Sequence, residues 1–129
     1  MLFDCGYSDV CRINAERMGV DLSCVTTLVF SHGHDDHTGG LAHLQTMLPP
    51  AKIVAHPDTF REKRSRGMNA GSIFRAEELA EKYEMHLSQE PQRVSDHLTF
   101  LGEIPRLNDF ERGYSSVSTQ APKGLFRIS

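Results

Sequence analysis

Three histidines and two aspartates fall within six residues, His32-Gly33-His34-Asp35-Asp36-His37, directly after the apolar run Val25-Thr26-Thr27-Leu28-Val29-Phe30. Side chains two apart on an extended backbone point to one face, so His32 and His34 can chelate a single ion, with Gly33 keeping the backbone between them slim. The chain must then turn. Asp36 and His37 on that turn face the same space from the other side, where they can hold a second ion. Neutral imidazole together with carboxylate is ordinary zinc ligation, at about 2.0–2.2 Å per bond. Asp35 is expected to point away, because its neighbour takes the ligand position. The competing reading is a polar turn of solvated histidines, but such a turn has little use for three imidazoles at a spacing that carries a ligation mechanism.

The elements that must carry these residues alternate between strand and helix signals, which argues for a layered α/β architecture. Residues 1–4 read as the end of a strand. Ser8 or Asp9 can cap a helix bearing Val10, Ile13 and Met18 at helical spacing, stopped by Gly19. Residues 25–30, apolar and β-branched, read as a buried strand that delivers the histidines at its C-terminal end. Residues 39–48 read as a helix with Leu41, Leu44 and Leu48 on one side, ended by Pro49-Pro50. Residues 52–55 read as a second short buried strand. Pro57 sits well at the start of a short helix, and residues 75–83 read as another, with Leu79 and Tyr83 on one face. Residues 85–87, 93–94 and 98–101 read as strands. No internal repeat or linker divides the chain, so one domain is the economical reading.

A chain of 129 residues is within the usual range for one domain, and its 39% hydrophobic content is slightly low for a complete fold. No apolar run approaches the roughly 18 residues of a membrane span. The start Met1-Leu2-Phe3-Asp4 lacks the basic and long apolar parts of a secretion signal, so the expectation is a cytoplasmic protein with no membrane partner. A net charge of −3 offers no general attraction to nucleic acid. Cys5, Cys11 and Cys24 are an odd number without a Cys-x-x-Cys pair and read as small buried thiols. Arg61, Lys63, Arg64 and Arg66 either face solvent from a helix or steer a phosphorylated small-molecule substrate. His56, at a strand end beside Pro57, either meets substrate there or is a part-buried histidine without chemistry. His43, His86 and His97 read as surface or core residues.

The segment Ser31-His32-Gly33-His34-Asp35-Asp36-His37-Thr38-Gly39-Gly40-Leu41 resembles the metal-binding signature of the metallo-β-lactamase superfamily, whose members are mostly metal-dependent hydrolases. Leu2-Phe3-Asp4-Cys5-Gly6 resembles the strand end that precedes this motif in the family, where an Asp and a Gly lie near the metals. Ala55-His56-Pro57-Asp58-Thr59-Phe60, Gly102-Glu103-Ile104-Pro105-Arg106 and Asp109-Phe110-Glu111 resemble the dihydropterin (ribofuranosyl)aminobenzene phosphate synthase-like subgroup, and the likeness runs to about Gly113. The resemblance implies a partial metallo-β-lactamase αβ/βα sandwich. His32 and His34 would hold a first metal, and Asp36 and His37 a second. The ion would be zinc, with manganese or iron as the other candidates. Asp36 would orient the nucleophilic water or shuttle its proton. Asp4 would accept from a ligand imidazole and fix its tautomer, the plainer reading being a turn aspartate. Cys5 would lie on a loop close to the metals.

Family members also carry a third His for the first metal, a bridging Asp and a final His well downstream. After His37 this chain has only His43, His56, His86 and His97, none in the Gly-Cys-Ser-His-like context of the subgroup. Residues 121–129 resemble the strand leading up to that segment, and the family normally has a few strands before the Leu-Phe-Asp element. The resemblance therefore implies that residues 1–129 form a partial domain lacking the first strands and the C-terminal half. Two functional expectations follow from different classes. One is a metal-dependent hydrolase, or a transferase joining a dihydropterin to a ribosylaminobenzene phosphate. The other is a non-catalytic fragment that binds metal weakly and self-associates through uncovered sheet.

Overall fold

The apolar runs at residues 25–30 and 52–55 become the centre of a parallel sheet in the computed structural model, which describes residues 1–105, 107, 108 and 110 and the backbone of 117–119. Along the chain come β1 (Leu2–Phe3), α1 (Val10–Met18), β2 (Thr27–Val29), α2 (Asp35–Thr38), β3 (Lys52–Ala55) and β4 (Lys63–Ser65). They are followed by β5 (Met68–Asn69), α3 (Ala76–Leu79), β6 (Glu84–Leu87), β7 (Gln92–Ser95), β8 (Leu98–Phe100) and β9 (Val117–Thr119). Strands β1, β2, β3 and β6 lie side by side in that order, all parallel, with Leu2 opposite Leu28, Val29 opposite Val54 and Ala55 opposite Leu87. Parallel neighbours need long crossovers, and α1, α2 and α3 lie in those three connections. Because the strands share a direction, Asp4, Ser31 and His56 all emerge at the same carboxyl edge. A β5-β4-β9 sheet and the β7-β8 hairpin are both antiparallel.

The core forms where the sheet meets these crossovers, with Leu28, Phe30, Leu41, Leu44, Ile53 and Leu79 buried to 2% exposure or less. Each such side chain contributes about 1.5–3 kcal/mol through removal of apolar surface from water. The expected helix over residues 39–48 is instead a 3-10 turn, Gly39–His43, continuing from α2, although Leu41, Leu44 and Leu48 are all buried as its apolar side requires. The reason lies in Gly40, where a Cβ would stand 1.9 Å from the carbonyl oxygen of Cys5. That close approach draws the turn onto the loop after β1, where Gly40 N–H donates to Gly6 O at 2.8 Å instead of continuing a helical ladder. The helix expected over 75–83 is only α3, yet Leu79 and Tyr83 are buried as anticipated. In α1 only Ala15 is fully buried, with Cys11 packed against the core beside it, while Val10 and Met18 are exposed, so the helix packs through small residues. Residues 63–65 are strand, not helix face. Of the cysteines, Cys5 is buried, Cys11 half-buried and Cys24 exposed. The expected strand at 121–129 and the motif residues Arg106, Asp109 and Glu111 lie outside the described residues.

Candidate metal centre

The loop after β2 is held from two sides. Gly33 O accepts from Ser72 N–H at 3.1 Å and Asp35 N–H donates to Ala70 O at 3.1 Å, which ties the loop to the segment after β5. On the other side, a Cβ at Gly33 would stand 1.9 Å from the Thr59 carbonyl oxygen, so only glycine permits this contact with the 3-10 turn Pro57–Phe60. His34 then caps α2, its carbonyl accepting from the N–H groups of His37 and Thr38 at 3.2 and 3.1 Å. The turn of α2 carries Asp36 and His37 back over His32, with the His32 and His37 ring centroids 4.0 Å apart.

His32, Asp36 and His37 each offer a ligand atom within 4.8 Å of the others. His34 lies at the margin of this group, its Nδ1 3.0 Å from His32 Nε2. Both expected pairs are neighbours, His32 with His34 and, at 3.8 Å between His37 Nε2 and Asp36 Oδ2, Asp36 with His37, while His32 also groups with the second pair. The donor set suits a divalent ion. Two nitrogens on one tetrahedral zinc stand roughly 3.3 Å apart, close to the separation of His32 Nε2 and His34 Nδ1.

Asp4 organises the group from below. Its backbone has φ +54, a left-handed conformation in which aspartate is enriched among non-glycine residues. Its carboxylate accepts from Ser31 N–H at 2.8 Å, Ser31 Oγ at 2.7 Å and His37 Nδ1 at 2.8 Å. A neutral His37 that gives its Nδ1 hydrogen to Asp4 presents the Nε2 lone pair to the cluster. There Nε2 meets Asp36 Oδ2 at 3.8 Å. Ser31 Oγ, having donated to Asp4, can accept from His32 Nδ1 at 3.0 Å, which leaves the His32 Nε2 lone pair facing the cluster as well. Burial, and then the nearby His37 and His34, push the His32 imidazole below the ordinary histidine value, favouring the neutral form that ligates. Ser31 was legible as part of the motif but not in this role. The only sequence signal was a hydroxyl beside the first histidine.

The remaining candidates are placed apart from the cluster. Asp35 lines a different cleft, with Tyr7 and His43. Cys5 donates its N–H to His37 O at 2.8 Å, but its side chain belongs to the hydrophobic core. Burial pushes its thiol up to about 12. Lys63 is buried, and its Nζ donates to the carbonyls of Asp58, Thr59 and Arg61. Arg61 pairs with Asp58 at 2.8 Å and Arg64 with Glu62 at 2.6 Å, so the basic cluster is largely neutralised locally. His86 pairs with Glu84 at 2.7 Å, and His43 and His97 are exposed. His56 lines a cleft shared with His32.

A parallel sheet with a His/Asp group at its carboxyl edge is a plan of metal-dependent α/β proteins, and the chain belongs to the metallo-β-lactamase superfamily, whose family model matches residues 1–113. It is similar to the uncharacterized protein MJ0448 of Methanocaldococcus jannaschii, 29% identical over 118 residues that cover 86% of this chain and 44% of that protein. It is also similar to the 7,8-dihydropterin-6-methyl-4-(β-D-ribofuranosyl)-aminobenzene-5'-phosphate synthase of the same organism, 28% identical over 114 residues that cover 81% of this chain and 38% of the synthase. The chain therefore spans less than half the length of either relative. Among solved structures it shares its fold with Tm1679, described as a metal-dependent hydrolase of the β-lactamase superfamily. The TM-score is 0.69 at 24% identity, covering 93% of this chain and 43% of that one.

Proposed function

We propose that this chain serves metal-dependent hydrolysis of a small-molecule substrate in the cytoplasm, with His32, His34, Asp36 and His37 as ligands of one or two divalent ions, zinc foremost. The observation that carries this reading is the grouping of His32, Asp36 and His37, whose ligand atoms all lie within 4.8 Å of one another, with His34 Nδ1 3.0 Å from His32 Nε2. Bound there, zinc acts as a Lewis acid and brings the pKa of water toward about 7. Asp36, the most exposed of the four, accepts the proton that the attacking water gives up. Asp4, directly and through Ser31, holds His37 and His32 in the tautomers that ligate. The cleft beside His32 receives the substrate. Transfer to a dihydropterin is the second reading. It is favoured by the sequence likeness to the synthase, which extends over 81% of this chain.

Elemental analysis of the chain purified without added metal tests the first reading. Zinc is expected in the unaltered chain and is expected to be lost when His32 and His34 are both changed to Ala. Equal zinc in the two proteins would overturn the assignment.

A further inference from the structure

The cleft beside His32 has a volume of about 340 Å3 and extends to the segment 102–104. On its wall, His56 Nδ1 accepts the backbone N–H of Asp58 at 3.1 Å, which opens the 3-10 turn Pro57–Phe60. A neutral ring whose Nδ1 accepts carries its hydrogen on Nε2. That Nε2 is buried and has no hydrogen-bond partner among the described residues. Glu103 Oε2 stands 3.9 Å from it, beyond hydrogen-bond reach. The Glu103 backbone N–H donates to Gln89 O at 2.7 Å, which fastens the segment to the turn after β6 while the side chain stays exposed. A buried donor and an exposed carboxylate thus stand at one cleft without satisfying each other.

Charge decides what fits between them. Away from the metal centre, the cations near this wall among the described residues are already held: Lys63 by three carbonyls and Arg61 by Asp58. An anionic group here would face Glu103 uncompensated. A neutral group that offers one acceptor and one donor on adjacent atoms satisfies both sides. Gly33 and Gly102 line the same cleft without side chains, and Ile104 adds an apolar contact, which suits a flat ring.

We propose that His56 Nε2–H and the Glu103 carboxylate form a two-point clamp for the lactam edge of a planar heterocycle, His56 donating to the ring carbonyl and Glu103 accepting from the neighbouring ring N–H. The inference deepens the reading above and rests on it only for the reacting centre at His32. The held ring lies one strand away from His32, so its substituents are directed toward the cluster.

Pterin, whose ring has adjacent N–H and carbonyl groups, is titrated into the full chain without added metal and followed by amide chemical shifts. Quinoxaline is the flat control without either group, and phenyl phosphate is the anionic control. Pterin is expected to bind at least tenfold more tightly than either. Glu103→Ala and His56→Asn are each expected to weaken it on the order of tenfold. Asparagine retains an acceptor for the Asp58 N–H, so the turn keeps its cap while the donor is lost. Glu103 is exposed, and its variant decides the matter alone should His56→Asn fail to fold. No preference for pterin, tighter binding of phenyl phosphate, or unchanged pterin affinity in a folded variant would overturn the clamp. Zinc content is read on the same proteins and is expected to match the unaltered chain. Failure of the unaltered chain to take zinc would strike the metal assignment and leave the pterin result standing.

Discussion

Asp4 is the residue on which the ligand set turns, since one carboxylate holds Ser31 and His37 and, through Ser31, reaches His32. Changing it to Asn keeps the shape but offers one acceptor where two are used. Zinc affinity is expected to fall about 10–100-fold, as for other partners of ligating histidines. Ser31→Ala should act in the same direction but more weakly, because His37 keeps its bond to Asp4. Competition with a chromophoric chelator measures both, and an Asp4→Asn variant with undiminished affinity would show that the tautomers are set elsewhere. Cys5 illustrates the opposite case of a group near the site that takes no part in it. Its thiol is raised from 9.0 to about 12, chiefly by burial. The folded chain therefore keeps this proton where the unfolded chain releases it. The contribution to stability is whole below pH 9 and is lost as pH rises through about 12. At about pH 8 iodoacetamide is expected to label exposed Cys24 and to reach Cys5 only after unfolding in urea, as read by mass spectrometry.

At the scale of elements, the histidine loop is placed by the short segments around it rather than by a long helix. Gly33 lies against the 3-10 turn Pro57–Phe60, whose carbonyls are gathered by buried Lys63. A methyl group at Gly33 would meet a backbone carbonyl that cannot swing aside, so Gly33→Ala is expected to cost about 1–3 kcal/mol through overpacking. The same shift should separate His32 from His34 and lower zinc uptake. Urea unfolding and zinc analysis of one preparation test the two effects together. A variant as stable as the unaltered chain would show that the loop is free of the turn.

For the molecule as a whole, β1 stands at one side of the parallel sheet and carries Phe3, which is 56% exposed. Phe3 shares an apolar cleft with Val29, Phe100, Leu101 and Ile104, of which Leu101 and Ile104 are themselves exposed. An edge strand and an open apolar patch together invite association. We expect the purified chain to self-associate with rising concentration in sedimentation velocity, and Phe3→Lys to shift it toward monomer. A chain that remains monomeric at millimolar concentration would contradict this.

The buried strands and the candidate site residues were legible in the sequence because both are local: an apolar run suits a parallel sheet, and closely spaced histidines suit metal. Helix length was not. Leu41, Leu44 and Leu48 fit an α-helix or a series of tight turns equally well, and the bond from Gly40 N–H to Gly6 O, made across a close approach only glycine allows, chose the turns. Nor could spacing show which ring nitrogens face inward, since Asp4 sets them from a strand end brought beside Ser31 and His37 only by the β1-β2 pairing. Arg61, Lys63, Arg64 and Arg66 read as a solvated helix face or a substrate-steering patch, whereas tertiary contacts gave Arg61 and Arg64 a carboxylate each and Lys63 a set of carbonyls. The facing of His56 and Glu103 has no sequence signal at all. It exists because the carboxyl edge of β3 and the segment held to Gln89 converge on one cleft. Residue type and periodicity belong to the chain, whereas the direction of a lone pair or an N–H belongs to the contacts that folding brings about.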